Sequence, residues 1–422
     1  MKFKKTTLKN GLRIITVPMK DTQTATVVVM VGVGARYETD KEDGLSHFIE
    51  HMMFKGTKRR PKPLDISEEL DAIGGMSNAF TSEDVTAYFV KADAKHLDKS
   101  LDVVADIFLN SKLDSKDIER EKGPVIQEIS MIEDTPQRNI YDVFTKLLYK
   151  DNPLGRNVVG SKKTVSSFKR SDLVKYIGKF YSSNNTIVCV AGKIDGREVV
   201  KKIRKYFSGM RKNKLQNAKR VTENQKNPEV VVKFKKTEQT HILIGNRAYD
   251  ENHKDRFALG LVSTILGGNM SSRLFTEIRE KRGLAYHVRT MVDAYSDCGY
   301  IVTQAGIEHK NLEMAIKTIV DEYKKITVEK VGDKELQRAK DYIKGISVMG
   351  LESSDDVAMF FIDQELKKKK IMIPQEIFAR IDKVTPGDIL RVAKDIFRNE
   401  TLNLAVIGPH KETKKLTKIL KL

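Results

Sequence analysis

Residues 44–57 read GLSHFIEHMMFKGT, and this stretch determines which fold and which chemistry to expect. His47, Glu50 and His51 stand at positions i, i+3 and i+4, so on a helix their side chains share one face. Two imidazoles one turn apart can hold one metal ion, and a neighbouring carboxylate can accept a proton from metal-bound water. The stretch therefore predicts a helix that carries a zinc site, with Glu50 as the general base.

The alternative interpretation of this stretch is an amphipathic helix whose half-buried histidines are bound to neighbouring side chains. The chain has eight histidines. In a chain of this composition a His-x-x-Glu-His match arises by chance about once in a hundred cases. The metal site is therefore the preferred interpretation.

A third zinc ligand is expected from residues 119–136, which read EREKGPVIQEISMIEDTP and offer four glutamates. Glu121 and Glu128 are seven residues apart and so lie on one helical stripe. The surroundings of Glu128 are mostly apolar, where a carboxylate requires a cation. Glu119 and Glu133 stand among other charged residues and are expected to be solvated. The spacing thus selects Glu121 and Glu128 as the candidates.

The composition is that of a globular chain of 422 residues with 40% apolar residues, long enough for two hydrophobic cores. The two cysteines, Cys189 and Cys298, form neither a disulfide framework nor a Cys-x-x-Cys site, which favours a reducing compartment. The N-terminal residues contain no signal peptide, transit segment or transmembrane span, so a cytoplasmic location is predicted.

The net charge of +19 permits a nucleic-acid or acidic partner, but the basic residues are spread along both halves. The densest run, residues 367–370, lacks the interleaved aromatic side chains that base stacking requires, and is expected to be a solvated helix end. Neither a specific nucleic-acid partner nor a membrane is predicted.

Residues 208–227, SGMRKNKLQNAKRVTENQKN, lack apolar periodicity and have the composition of a linker. We predict an N-terminal domain at 1–209, a linker at 210–227 and a C-terminal domain at 228–422. Both halves end in a helix, a polar turn, a strand and a glycine, at Gly192 and Gly408. This repetition predicts two homologous α+β domains, each a mixed, mainly antiparallel sheet packed with helices.

The whole chain resembles the inverted zinc peptidases, whose His-x-x-Glu-His motif reverses the commoner order. It is similar to their short processing-peptidase branch, which includes the catalytic subunit of mitochondrial processing peptidase and its bacterial relatives. The likeness covers the motif itself and four further stretches: GVGARYE at 32–38, SNAFTSEDVTAY at 77–88, the glutamate-rich stretch at 119–136, and SSRLFTEIREKRGLAY at 271–286.

The resemblance assigns roles to residues outside the motif. It implies that Glu128, after 76 intervening residues from His51, is the third ligand and that Glu121 supports the site. It also implies that Arg279 and Tyr286 assist catalysis. If Gly283 ends a helix, Tyr286 projects from the next strand, and both side chains can reach a carbonyl oxygen that becomes an oxyanion.

A substrate strand is also implied, because Asn78, Ala79 and Phe80 match the family's edge strand onto which an extended peptide adds. Without the resemblance this strand would be unremarkable, and the Arg279/Tyr286 stretch would read equally well as a solvated helix with a core tyrosine. We interpret His241, His287 and His309 as structural.

The resemblance further implies a zinc endopeptidase with one Zn²⁺ per chain that hydrolyses short or unfolded polypeptides. Each chain would be half of a clam-shell around a closed chamber, most simply as a homodimer, with a heterodimer as the alternative. Cobalt or manganese could occupy the same ligands. The rival interpretations are a non-catalytic scaffold, a presequence-specific processing subunit, and a basic nucleic-acid-binding protein.

Overall fold

Two mixed β-sheets organise the chain, and the computed structural model describes residues 1–368 and 370–422. Lys369, within the predicted lysine run, lies outside the described residues. The first sheet contains six strands: β1 (Lys4–Thr7), β2 (Arg13–Pro18), β3 (Thr24–Val31), β4 (Met76–Thr81), β5 (Thr86–Asp93) and β6 (Thr186–Gly192). The second contains five: β7 (Glu229–Phe234), β8 (Thr240–Ala248), β9 (Ala285–Ala294), β10 (Gly299–Ile307) and β11 (Leu402–Gly408).

The helices account for most of the remaining regular structure. They are α1 (Leu45–Met53), α2 (Pro63–Asp71), α3 (Leu97–Asn110), α4 (Ser115–Asp134), α5 (Pro136–Tyr149), α6 (Lys162–Ser167), α7 (Arg170–Phe180), α8 (Gly196–Phe207), α9 (Arg256–Gly267), α10 (Leu312–Val328), α11 (Asp333–Met349), α12 (Ser354–Lys367), α13 (Pro374–Asp382), α14 (Pro386–Ile396) and α15 (Thr413–Ile419). A π-helical segment spans Phe275–Glu280. Residues 210–226 form neither helix nor strand.

Apart from the additional strand β1, the two sheets share one strand order. The first runs β1-β2-β6-β3-β5-β4 and the second β7-β11-β8-β10-β9. In each sheet one pair is parallel, β2 with β6 and β7 with β11, and the other pairs are antiparallel. The predicted α+β class with mixed, mainly antiparallel sheets is confirmed.

Helices cover both faces of the first sheet. Side chains of β3 alternate between faces, and Val28 and Met30 pack against Phe361 and Ile362 of α12. Helix α3 packs on β3 and β5, so Val27 and Val29 are buried on the opposite face. Burial on both faces explains why β3 is a continuous run of apolar residues instead of an alternating one.

The second sheet is also covered on both faces. On one face, Ile242 and Ile244 of β8 belong to a core that includes residues of α9, α10 and α14. On the other face, Leu243 of β8 packs in a cluster with Ile140 and Phe144 of α5. Because α5 lies early in the sequence and α12 late, each sheet is completed by a helix from the other half of the chain.

The compact units of the structure are therefore discontinuous in sequence. The first consists of Met1–Ser130, Arg156–Lys219 and Val348–Ile373. The second consists of Met131–Gly155, Arg220–Ser347 and Pro374–Leu422. The division at 1–209, 210–227 and 228–422 stays a prediction. The predicted division separates the strands of the two sheets. The compact units also exchange α5 and α12, because each of these helices packs on the sheet formed by the other half of the chain.

Candidate metal centre

Helix α1 presents His47, Glu50 and His51 because its other face is held in the core. Leu45, Phe48, Ile49, Met52 and Met53 of this helix are all buried. At its N-terminus Gly44 has φ +87°, and a β-carbon there would lie 2.7 Å from the backbone of Gly160. A residue with a larger side chain would therefore displace the start of the helix.

The buried side chain of a glutamate caps this helix. Glu38, only 3% exposed, accepts hydrogen bonds from the backbone N–H groups of Gly44 at 2.8 Å and Ser46 at 2.6 Å. Ser46 in turn bonds through its hydroxyl to the hydroxyl of Tyr176 at 2.7 Å. Burial raises the pKa of Glu38 to about 8, although these backbone hydrogen bonds act in the opposite direction. The side chain therefore caps the helix by accepting hydrogen bonds from N–H groups that have no partner within the helix, and these contacts fix the helix one residue before His47.

Three side chains of the first unit converge on one point. Nε2 of His47 and Nε2 of His51 each lie 3.5 Å from Oε2 of Glu128. The three ligand atoms all lie within 4.8 Å of one another. Ligand atoms about 2.0–2.2 Å from a tetrahedral zinc ion lie roughly 3.3–3.6 Å apart. The donor set and its spacing therefore fit a zinc ion.

Helix α4 supplies the two predicted carboxylates from one stripe. Val125 and Ile129 are buried and hold this stretch of the helix against the core of the unit. Glu121 is 6% exposed and accepts a hydrogen bond from Nδ1 of His51 at 2.9 Å. Its other carboxylate oxygen forms an ion pair with Lys55 at 2.6 Å. With Nδ1 engaged in this way, Nε2 of His51 faces Glu128.

The other two glutamates considered for the site are exposed. Glu119 pairs with Lys122 at 2.7 Å on the same helix, and Glu133 is also exposed. Their positions agree with the predicted solvation.

The charges around the three ligands favour a cation. Burial, followed by the charge of His51, lowers the pKa of His47 to about 4, so its imidazole is neutral at pH 7. Burial alone would lower the pKa of His51, but the carboxylates of Glu121 and Glu128 outweigh it and raise that pKa to about 9. In the absence of a metal, His51 therefore carries a proton between two carboxylates, and a divalent cation would replace that proton.

Glu50 lies beside the ligands without joining them. Its Oε2 accepts a hydrogen bond from the Thr81 hydroxyl at 2.6 Å. Burial raises the pKa of the Glu50 carboxyl above its usual range, although this hydrogen bond and the charge of His51 act in the opposite direction. A carboxylate of raised basicity beside a metal site suits proton transfer at neutral pH.

The predicted substrate strand lies at an edge of the first sheet. Strand β4 is the last strand in that sheet and pairs with β5. Asn78 is exposed, whereas Ala79 and Phe80 are half-buried, and the Asn78 side chain accepts the backbone N–H of Ala79 at 2.8 Å. An edge strand has backbone groups with which an added strand can pair.

Arg279 and Tyr286 contact each other in the second unit. The helical segment ends at Glu280, and Gly283 has φ +59°. The Arg279 guanidinium lies 4.7 Å from the centre of the Tyr286 ring and donates to the Tyr286 carbonyl at 3.2 Å. Tyr286 is 79% exposed at the start of β9, so its hydroxyl is free to meet a ligand.

The histidines interpreted as structural all lie in the second unit, and two of them, His241 and His287, line one cavity with Tyr286. His309 bonds through Nδ1 to the Thr240 hydroxyl at 2.8 Å and through Nε2 to the Thr237 carbonyl at 2.9 Å. His241 is buried, and burial lowers its pKa. Among the described residues, the one group of three or more metal-binding side chains that converges is that of His47, His51 and Glu128.

Comparison with known proteins covers nearly the full length of the chain. Residues 13–162 match the family described as "Insulinase (Peptidase family M16)", and residues 167–343 match "Peptidase M16 inactive domain". An uncharacterized zinc protease of Streptomyces coelicolor is 34% identical over 417 residues, 97% of this chain and 90% of that one. The chain belongs to the M16 peptidase family.

Other M16 relatives show similar coverage. An uncharacterized zinc protease of Rickettsia felis is 35% identical over 412 residues, 96% of this chain and 97% of that protein. A solved protease of Helicobacter pylori is 26% identical, covers 97% of this chain and 99% of its own, and superposes with a TM-score of 0.90. The resemblance to the inverted zinc peptidases is thereby confirmed at the level of the family.

The two family matches divide the site residues of this M16 chain. His47, Glu50, His51, Glu121 and Glu128 fall in the first match. Arg279 and Tyr286 fall in the second, which is described as inactive. No helix in the described part of the M16 chain combines the length and the hydropathy that a membrane span requires.

Sequence reasoning missed three residues that hold the site residues of this M16 chain, or the helix that carries them, in place. Lys55 pairs with Glu121, Thr81 bonds to Glu50, and Glu38 caps the ligand helix. Lys55 stands four residues after His51 but beyond Met53, the last residue of α1, so helical spacing gave no signal for it. Thr81 immediately follows the predicted substrate strand, but its contact with Glu50 depends on the pairing of distant segments.

Proposed function

We propose that this M16 chain is a zinc-dependent endopeptidase that hydrolyses internal bonds of short or unfolded polypeptides. The observation that carries the proposal is the convergence of His47, His51 and Glu128 beside the carboxylate of Glu50. A metal site alone would fit a structural role. A base beside three protein ligands, with a fourth position left for water, is the arrangement of a catalytic zinc site.

Zinc is the proposed cofactor, with one ion per chain held by His47, His51 and Glu128. Two imidazoles and one carboxylate are ligands of catalytic zinc in other peptidases. The names of the relatives from Streptomyces coelicolor and Rickettsia felis, both described as zinc proteases, support this assignment. When bound, zinc polarises the scissile carbonyl and acidifies the attacking water.

The side chains of the protein carry the proton and orient the substrate. Glu50 accepts the proton of the attacking water and returns it to the amine that leaves. Tyr286 and Arg279 donate to the carbonyl oxygen as it gains negative charge. The substrate backbone pairs with the edge strand at Asn78, Ala79 and Phe80, which holds the scissile bond in an extended conformation.

We further propose a homodimer in the cytoplasm, in which each chain is half of a clam-shell around a closed chamber. In this arrangement Arg279 and Tyr286 of one subunit serve the zinc site of the other. A chamber would admit short or unfolded chains and exclude folded ones. The alternative assembly, a heterodimer with a non-catalytic paralogue, predicts that the pure protein binds zinc and cleaves little.

The first test is hydrolysis of a quenched fluorescent peptide library by the pure protein, with zinc measured in the same samples. Glu50→Gln should retain zinc and lose activity by about three orders of magnitude or more, because the amide cannot accept the proton. Glu119→Gln, a matched change at an exposed glutamate, should leave both unchanged. Zinc without cleavage in the wild type would favour the scaffold or the heterodimer, and absence of zinc would refute the proposal.

Mixing two inactive variants tests whether the site is shared between subunits. If Tyr286 acts on the partner's zinc site, a dimer of one Glu50→Gln chain and one Tyr286→Phe chain contains one intact site. Random pairing then restores about a quarter of the wild-type activity. If Tyr286 serves the zinc site of its own chain, mixing restores nothing.

A further inference from the structure

The Glu50 carboxylate is held by one hydrogen bond. Thr81 Oγ1 donates to Oε2 of Glu50 at 2.6 Å, and among the described residues it is the one group that hydrogen-bonds to this carboxylate. Because a carboxylate oxygen cannot donate, the threonine hydroxyl must be the donor. Oε1 of Glu50 is therefore left to accept a proton from another molecule.

Thr81 is itself held firmly. It is the last residue of β4 and pairs with Thr86 of β5. The turn that follows is closed by the backbone N–H of Ser82, which donates to the Val85 carbonyl at 2.8 Å. The Ser82 carbonyl accepts the N–H of Ala35 at 3.0 Å.

A glycine permits this close approach. A β-carbon at Gly34 would lie 2.1 Å from the Ser82 carbonyl oxygen, so any other residue would push the turn away from the neighbouring chain segment. Thr81 thus enters the site at the end of a strand that is held by its pairing with β5 and by the backbone contact of the turn that follows. Such rigidity is what a positioning group requires.

We propose that Thr81 is a positioning residue for the general base, and that its hydroxyl fixes Oε2 of Glu50 so that Oε1 faces the attacking water. This inference rests on the proposed peptidase function. Thr81 does not hydrogen-bond to His47, His51 or Glu128, so its effect is confined to the base.

The position of Thr81 also links the base to the substrate. Asn78, Ala79 and Phe80, the proposed pairing segment, immediately precede Thr81 on β4. A substrate peptide that pairs with this strand therefore adds to the same backbone that holds Glu50. Correct pairing and correct orientation of the base depend on one strand, which favours cleavage of extended peptides over loosely bound ones.

The test compares Thr81→Val, which keeps the shape but removes the hydroxyl, with Thr81→Ser, which keeps the hydroxyl. Thr81→Val should lower kcat roughly ten- to a hundred-fold, with KM and bound zinc unchanged, because one hydrogen bond to a charged group is lost. Thr81→Ser should restore kcat to within a few-fold of the wild type. If Thr81 had a purely structural role, both variants would lose stability, and their kcat values would not differ according to whether the hydroxyl is present.

A matched control is Thr26→Val in β3. Thr26 is buried in the same sheet and bonds to the Ser354 hydroxyl at 2.8 Å. Its replacement removes a buried hydroxyl distant in sequence from the base and should lower the melting temperature without lowering kcat. If Thr81→Val does not fold, Thr81→Ala compared with Thr81→Ser gives the same contrast.

The outcomes separate this inference from the function on which it rests. An active wild type with full kcat in Thr81→Val, or a Thr81→Ser variant as slow as Thr81→Val, would overturn the role of Thr81 alone. A wild type that shows no zinc-dependent cleavage would overturn the proposed function and the role of Thr81 together.

Discussion

The two sheets of the molecule have the same strand order but different chemistry. Without β1, the first sheet has the order β2-β6-β3-β5-β4, which corresponds strand for strand to β7-β11-β8-β10-β9. A helix follows the central strand in both, α1 after β3 and α9 after β8. The correspondence supports the predicted duplication, because both the order and the parallel pair recur.

The difference between the sheets lies in the side chains on those two helices. Helix α1 reads LSHFIEHMM, whereas α9 reads RFALGLVSTILG and contains no histidine, cysteine or carboxylate. Most of α9 is buried in the core of its unit. The same backbone plan thus forms a candidate metal centre in one unit and plain packing in the other. The fold provides positions, and the chemistry depends on which residues occupy them.

The largest expected effect comes from removing a ligand of the first unit. His51→Ala should abolish stoichiometric zinc binding and reduce peptidase activity to background, because two protein ligands hold zinc far more weakly than three. The measurement is the zinc content of the purified protein after dialysis. His309→Ala in the second unit, where the imidazole contacts Thr240 and Thr237, should leave one zinc per chain. Loss of zinc in that control would contradict the assignment of the metal site to the first unit alone.

The second largest effect tests whether the unit without a metal site contributes to the chemistry. Tyr286→Phe should lower kcat about a hundred- to a thousand-fold without changing bound zinc, since one donor to the developing oxyanion is removed. Tyr249→Phe is the matched control. Its hydroxyl donates to Asp395 at 2.6 Å in the same unit, so it should affect stability alone. Equal activities of the two variants would remove Tyr286 from the mechanism.

A smaller effect is expected from the carboxylate behind the ligands. Glu121→Gln should weaken zinc binding about ten- to a hundred-fold, because the amide orients His51 less strongly and leaves Lys55 without its partner. Competition with a chelator of known affinity measures this change. Glu119→Gln on the same helix should bind zinc like the wild type. A Glu121→Gln variant of wild-type affinity would mean that His51 needs no such support.

Much of the fold is predictable from the sequence because it depends on local patterns. The β-branched run of β3, the amphipathic α7 and α14, and the glycines at the ends of β6 and β11 all follow from residues close in sequence. The i, i+3, i+4 spacing of the motif likewise places His47, Glu50 and His51 on one helical face. The structure brings Glu128 to them. The seven-residue spacing left Glu121 and Glu128 as candidates, and the family resemblance pointed to Glu128.

The remainder depends on contacts between distant segments, which periodicity does not report. The sequence of α5 shows an amphipathic helix, but nothing in it specifies the second sheet as its partner. The same holds for α12 and the first sheet. The contacts of Thr81 and Lys55 were missed for the same reason, because a polar side chain gives no sign of its partner before the fold is known.

The smallest expected effect is a graded dependence of activity on pH, and it compares two carboxylates of the first unit. Burial raises the pKa of Glu50. Burial would also raise the pKa of Glu121, but His51 and Lys55 outweigh it and lower that pKa. As the pH falls, Glu50 is therefore protonated first, while Glu121 is still ionised and able to orient His51. Because only the ionised base accepts a proton, kcat/KM should fall by at most about tenfold per pH unit below the pKa of Glu50.

This fall in kcat/KM should begin above the ordinary glutamate range of about 4.3, and zinc measured at each pH should still be bound at the pH where the fall begins. If zinc leaves the protein before kcat/KM declines, the ligands and not the base set the acid limb, and the assignment of Glu50 to it would be wrong.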